Sequence, residues 1–592
     1  MKIGIFKRII VLFLVFMVLF SVSLSLFGCG LFNKDSDGDG FENGTDSSES
    51  ATKPEHDEHW LDKVILPEGE SFGRETVDFD KIEYVRPNFD ATTEKLRTII
   101  SAIEKNEISF EEQIAMIEAL EGDYEKILTM RTLADISVAK DSSSEYWNAE
   151  YAYVTGSYPN LAKVIEQMYV AAANSPHAER FEDEYFGDGL IEEYKDGGKL
   201  TDTLVKLLES EEALEAEYLS LTESDYELEE KQTRIFIELV KVRRMIANEL
   251  GDKSYADYAY ETLGRDYSAD KASRLLDDIA EYILPTYQIL AYTSLSKYVY
   301  GTEDAANLGL ADLMNNSREL LRGIDESYGE IFNYMLSHKL FDVDIQRENR
   351  NEGAFVTYLE EFDAPFLFLS AGEDITDYTA FLHEFGHFID AYTNLNSDAS
   401  IDQKEISSQA LEYLSLTRLD GILSLRDARY LTENQTLNAM ITLIFQGFYA
   451  KAEELIYALP LENITKESLD REVVRAAEKF GLNTEYINSI SAIFISHTFL
   501  YPFYVQSYCT SLVPSLEIYF MEIENEGSGF EAYKKLIDRS GENFTLEEAL
   551  SDSGIASPFK EDIVLEIAGK ILSYVQTGTL PERKNEGLLG VA

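Results

Sequence analysis

The chain has 592 residues, 45% of them hydrophobic and 12% aromatic, so it can bury one very large core or several ordinary ones, and it is not a disordered protein. Its formal charge of −58 gives a surface that repels nucleic acid and anionic lipid, which sets nucleic-acid binding aside. With Cys29 and Cys509 as the two cysteines, the small disulfide-stapled class of secreted proteins is excluded as well.

At the N-terminus, Lys2, Lys7 and Arg8 precede an uncharged apolar run from Ile9 to Gly28 that stops at Cys29, the order of a secretory signal. Leu26-Phe27-Gly28-Cys29 resembles the bacterial lipobox. That resemblance implies a signal peptide over residues 1–28, cleavage before Cys29, and a lipid on its thiol that tethers the chain to the membrane. The alternative is an uncleaved transmembrane helix, since about 20 apolar residues span a bilayer. Either way the bulk of the chain is expected outside the cytoplasm. Cleavage removes three positive charges and leaves −61, and lipidation of Cys29 leaves Cys509 no disulfide partner.

Residues 29–75 read as an acidic flexible linker, because Asp, Gly, Ser, Thr and Glu cannot bury a core. Within it, Asp35, Asp37, Asp39 and Asp46, with Gly40 between, match the oxygen spacing of a calcium loop and resemble a thrombospondin type 3 repeat. No apolar helices flank the loop and its last acid is Asp rather than Glu, so a plain acidic linker is the competing reading. His56 and His59 lie three apart in the linker with nothing nearby to complete a metal site. His177 and His338 stand alone and read as structural.

From about Lys95 onward, apolar residues recur at three- and four-residue spacings over 109–134, 231–250 and 269–298, which predicts a mostly α protein. The expected division is an N-terminal helical lobe at 76–225 and a catalytic domain at 226–592. The clearest strand-like run is Phe366–Ser370, which predicts a small sheet near the middle.

The strongest chemical signal is His383-Glu384-Phe385-Gly386-His387 in a helical context. Histidines four apart share one helix face, so both imidazoles reach one zinc ion, and Glu384 beside them suits a general base. Zinc in catalytic sites ordinarily takes three protein ligands. Downstream, a second helical stretch offers Glu405 and Glu412, seven apart.

The zinc helix followed by Glu405-Ile406-Ser407-Ser408-Gln409-Ala410-Leu411-Glu412 resembles the thimet oligopeptidase and oligoendopeptidase F family of zinc peptidases. The resemblance also takes in Asn351–Phe355, the run Phe366–Ser370 and the stretch Tyr533–Phe559. It implies a large two-lobed helical fold with a deep central cleft, a small sheet beside the zinc helix, and hydrolysis of short peptides. It implies Glu405 as the third zinc ligand and Glu412 as support for a zinc-ligating histidine, with an exposed helix acid as the alternative for Glu412. It places an edge strand at Phe366–Ser370 for pairing with substrate, and assigns oxyanion and substrate contacts to His497, Tyr501 and Tyr508. The spacing from His497 to Tyr501 departs by one residue from the family pattern, which leaves open which tyrosine faces the metal. Tyr504 reads more readily as core. A peptide-binding lipoprotein without turnover is the reading from another class, and a different zinc peptidase acting on folded cell-wall proteins is a third. The acidity of the chain adds an expected preference for neutral or basic peptides.

Overall fold

The computed structural model describes residues 59–577, apart from 66–72, 75, 188, 196, 198–199, 222–226, 252–253, 294–307, 396, 398 and 541–543. The signal peptide, Cys29, the acidic loop at 35–46, His56 and the expected boundary at 225–226 therefore lie outside the described residues. Among the described residues, no helix is long and apolar enough to cross a membrane.

Among the described residues the chain is mostly helical, as the periodicity predicts, with one small sheet. The N-terminal part contains α1 (Phe89–Lys105), α2 (Phe110–Lys140), α3 (Glu145–Ala173) and α4 (Asp202–Leu219). Side-chain caps start them: Asn88, Ser109, Ser144 and Thr201 each accept from a backbone N–H of the first turn, and Ser109 with Glu112 forms a reciprocal box. Their buried stripes pack α1 and α2 against α3, and α3 against α4. Helix α5 (Leu228–Leu250) packs on α4 and carries Arg243, fully buried between the acids Glu211 and Glu215 of α4.

The sheet comprises β1 (Phe341–Ile345), β2 (Ala354–Leu359) and β3 (Ala364–Ala371), in the order β1-β3-β2. Strand β3 is parallel to β1 and antiparallel to β2. This corrects the expectation for Phe366–Ser370: that run is the central strand, hydrogen-bonded on both sides, and has no free edge for another chain. Its apolar residues give the reason, since Phe366, Leu367, Phe368 and Leu369 are buried on both faces. The free edges belong to β1 and β2. Ser370 N–H donates to Gly353 O at 2.8 Å, and by the alternation of an antiparallel ladder the main-chain groups of Ala354 and Val356 point away from β3.

After β3, Asp377 accepts from the N–H groups of Gly372 at 2.9 Å and Asp374 at 3.2 Å, turning the chain into α6 (Asp377–Asn394). Helix α6 lies on β2 and β3 and against α7 (Ile401–Ser415). Helix α7 is buried at every position except Lys404. It can be, because its polar residues are small or paired: Ser511 Oγ donates to Gln409 Oε1 at 2.8 Å, and Tyr533 OH donates to Ser407 O at 2.9 Å. Helix α8 (Leu425–Tyr457) meets α7 where Tyr413 OH donates to Gln435 O at 3.4 Å, and α9 (Val505–Glu524) and α10 (Ser528–Ser540) pack against it.

Candidate metal centre

One turn of α6 separates His383 from His387, and Phe381, Phe385 and Phe388 anchor the opposite face in the core. Between the histidines, Gly386 lets α7 come unusually close. A Cβ there would stand 2.5 Å from Ser408 Cα and 2.6 Å from Ser407 O. That approach delivers Glu405, one turn before Ser408, to the two imidazoles.

His383 Nε2 is 3.5 Å from Glu405 Oε2 and His387 Nε2 is 3.7 Å from Glu405 Oε1. The three donor atoms lie within 4.8 Å of one another. Zinc bonds of about 2.1 Å at tetrahedral angles put donors roughly 3.4 Å apart, so the separations suit one ion. The protonation chemistry fits as well. Burial would raise the Glu405 carboxyl, but His387, His383 and the Tyr504 hydroxyl outweigh it and hold the pKa down to about 2. Burial pushes His387 down to about 4, so its imidazole is neutral. Burial alone would also lower His383, yet Glu405 and Glu412 reverse this and raise it well above the usual histidine range. Positive charge is favoured at this point, whether it comes from a proton or a metal cation.

Behind the ligands, Glu412 Oε2 stands 3.2 Å from His383 Nδ1, and Gln435 of α8 donates to the other oxygen of Glu412. This fixes the ring so that Nε2 faces Glu405. Glu412 is buried, not an exposed helix acid. Glu384 is buried at the same place, and burial pushes its carboxyl up to about 8, beyond the lowering effect of His383.

The segment 497–508 closes the site from the far side. His497 Nε2 is 3.1 Å from Tyr508 OH, and burial pushes His497 down to about 4. The tyrosines of this segment differ in position. Tyr504 OH donates to Glu405 Oε1, whereas Tyr501 is turned toward the N-terminal helices, its strongest charged and phenolic neighbours being Tyr151, Glu215 and Asp135. Tyr504 was not assigned to the site from sequence; its spacing of four from Tyr508 is the signal that places both on one side of a helical turn. The other described histidines lie elsewhere: His59 is 3.8 Å from Asp62, His177 packs on Phe110, and His338 is buried beside Asp78 and Tyr334.

Residues 79–194 match a family model described as Peptidase M3 N-terminal domain. No curated protein sequence matches the chain. Among solved structures, PZ peptidase A with inhibitor 2 superposes with a TM-score of 0.72 at 19% identity, over 84% of this chain and 99% of that one. A Bacillus anthracis chain designated oligoendopeptidase F gives 0.72 at 21% identity, over 85% and 99%. Oligoendopeptidase-F from Enterococcus faecium gives 0.52 at 14%, over 83% and 98%. The fold is that of oligoendopeptidase F. Its N-terminal helical segment matches that of M3 peptidases, and it brings His383, His387 and Glu405 together beside Glu384.

Proposed function

We propose that this protein is a zinc-dependent endopeptidase that hydrolyses short peptides at the outer face of the cell membrane. The observation that carries the reading is the convergence, in one buried place, of the His383–His387–Glu405 donor set, the Glu384 carboxyl and the His497–Tyr508 pair. His383, His387 and Glu405 would hold the zinc, which when bound supplies Lewis acidity to water and to a peptide carbonyl. Glu384 takes a proton from the attacking water at its carboxylate and returns it to the leaving amine nitrogen. Burial raises the affinity of that carboxylate for the proton above that of an exposed glutamate, which favours the first transfer. Tyr508, with His497 behind it, offers a donor to the developing oxyanion in a site where burial strengthens such a bond.

The backbone of an extended substrate would pair with the outward groups of Ala354 and Val356 on β2, the strand edge beside α6. The same burial keeps folded domains from the metal. The membrane location rests on the lipobox-like sequence at Cys29, and replacing it (Cys29→Ser) should abolish lipid labelling of the chain. Calcium on Asp35, Asp37, Asp39 and Asp46 rests on spacing alone and is checked by calorimetric titration of the full chain. The decisive experiment is hydrolysis of a quenched ten-residue peptide with and without chelator. Chelator-sensitive turnover is expected in the parent and none in Glu384→Gln, and peptide binding without turnover in the zinc-loaded parent would overturn the reading in favour of a binding lipoprotein. Casein-sized chains cut at comparable rates would refute the size limit.

A further inference from the structure

The turn that carries the site tyrosines contains an unusual backbone. Phe503 adopts φ of 66°, the left-handed region that bulky aromatic residues avoid because Cβ crowds the neighbouring carbonyl. Such a conformation persists only where the surroundings over-determine it. Here both sides of the residue are held. Phe503 N–H donates to Glu453 Oε2 of α8 at 3.1 Å, and Phe503 O accepts from Arg265 Nη2 at 3.0 Å. Arg265 and Glu453 are both buried. The Phe503 ring is wedged among Tyr255, Tyr260 and Tyr457, which blocks the turn from relaxing by rolling its side chain out.

Arg265 does more than hold one carbonyl. Its Nη2 also donates to Ser507 Oγ at 2.8 Å, and its Nε donates to Asp402 Oδ2 at 3.2 Å. Asp402 lies three residues before Glu405 on α7 and also accepts from Tyr267 OH at 2.7 Å. One guanidinium thus fastens the tyrosine turn to the helix that bears Glu405. The residue after the strained peptide is Tyr504, whose hydroxyl reaches Glu405, and Tyr508 follows one turn later beside His497. With an ordinary negative φ at Phe503 the chain would leave that residue in another direction, and both tyrosines lie downstream of it.

We propose that Arg265 and Glu453 are positioning residues of the peptidase site: they clamp the Phe503 peptide in its left-handed conformation, and that conformation aims Tyr504 at Glu405 and Tyr508 at His497. The proposal rests on the peptidase reading for its catalytic consequence, but the geometry can be followed without turnover. In the full chain carrying 3-fluorotyrosine at position 504, one fluorine resonance is expected, and Arg265→Met should shift it or split it. In the zinc-loaded enzyme, Arg265→Met should lower kcat about thirtyfold while KM and the zinc dissociation constant, read by competition with a chromophoric chelator, stay within about threefold. Glu453→Leu should act in the same direction, and Glu453→Gln, which keeps an acceptor oxygen for Phe503 N–H, should recover most of that loss. Phe503→Asn supplies the cycle that a merely structural role would not reproduce. Asn tolerates the left-handed region, so Arg265→Met should cost at least fivefold less in its presence. Should Arg265→Met fail to fold, Arg265→Lys keeps the charge opposite Asp402 but cannot span Phe503 O, Ser507 and Asp402 together, and it carries the same expectation. An unchanged fluorine spectrum with unchanged kcat would overturn the proposal. So would parallel losses of kcat and zinc affinity, which would put the effect of Arg265 on α7 alone. A parent that cuts no peptide would defeat the peptidase reading, and the fluorine spectra would still decide the clamp.

Discussion

Gly386→Ala adds one methyl group between the two helices that carry the metal ligands, and two opposing effects set the outcome. Alanine in a helix interior is favoured over glycine by about 0.8–1.0 kcal/mol, so propensity alone would stabilise the protein. Against this, the added Cβ would lie 2.5 Å from Ser408 Cα and 2.6 Å from Ser407 O, both backbone atoms that cannot rotate away. Ordinary contact begins near 3.4 Å, so α6 and α7 must part by almost an ångström. Overpacking of this kind costs roughly 1–3 kcal/mol, leaving a net loss of at most about 2 kcal/mol in stability. The metal site gains nothing from helix propensity. Glu405 moves with α7 while His383 and His387 stay on α6, and an ångström of misplacement at a ligand is on the scale that costs about 10–100-fold in affinity or activity. Zinc affinity and kcat should therefore fall by one to two orders of magnitude, with only a modest drop in melting temperature. Calorimetry of the metal-free protein, chelator competition for zinc, and peptide turnover read the three quantities. A variant that binds zinc and cuts peptides within twofold of the parent would refute the role assigned to this close approach.

Three further outcomes follow from the same geometry. Glu384→Gln should bind zinc like the parent but lose at least about a thousandfold in kcat, whereas Glu405→Ala should lose zinc retention on dialysis as well as turnover; a zinc-retaining, active Glu405→Ala would remove the third ligand. Burial pushes Glu453 from 4.5 up to about 8, so its contribution to stability is fully present below pH 4.5 and is lost as pH rises through 8; relative to the parent, Glu453→Gln should gain stability between those limits by roughly 1.4 kcal/mol per pH unit, and parallel urea-unfolding curves at pH 5 and 7.5 would contradict this. For matched acidic and basic peptides, the ratio of kcat/KM should favour the basic one at low salt and shrink as salt rises, since screening acts within about 8 Å at physiological ionic strength; a salt-independent ratio would remove the electrostatic explanation.

Features set by local spacing could be read from the residues alone. Histidines four apart share a helix face wherever that helix packs, so the pair His383 and His387 with Glu384 between them was legible before any tertiary contact was known, whereas the roles of Glu405 and Glu412 came from the family resemblance of their stretch. The mostly helical class followed from the same three- and four-residue spacings. Tertiary structure decided what depends on neighbours distant in the chain. A run such as Phe366–Ser370 reads as a strand from its residues, but its central place depends on Phe341–Ile345 and Ala354–Leu359 pairing on either side, which no local pattern encodes. Tyr504 reaches Glu405 just after one left-handed residue, Phe503, whose flanking groups are held by Arg265 and Glu453, 238 and 50 positions away. Backbone strain runs against the local preference of its own residue, so it can be fixed only by contacts from outside the segment, and those exist only once the chain has folded.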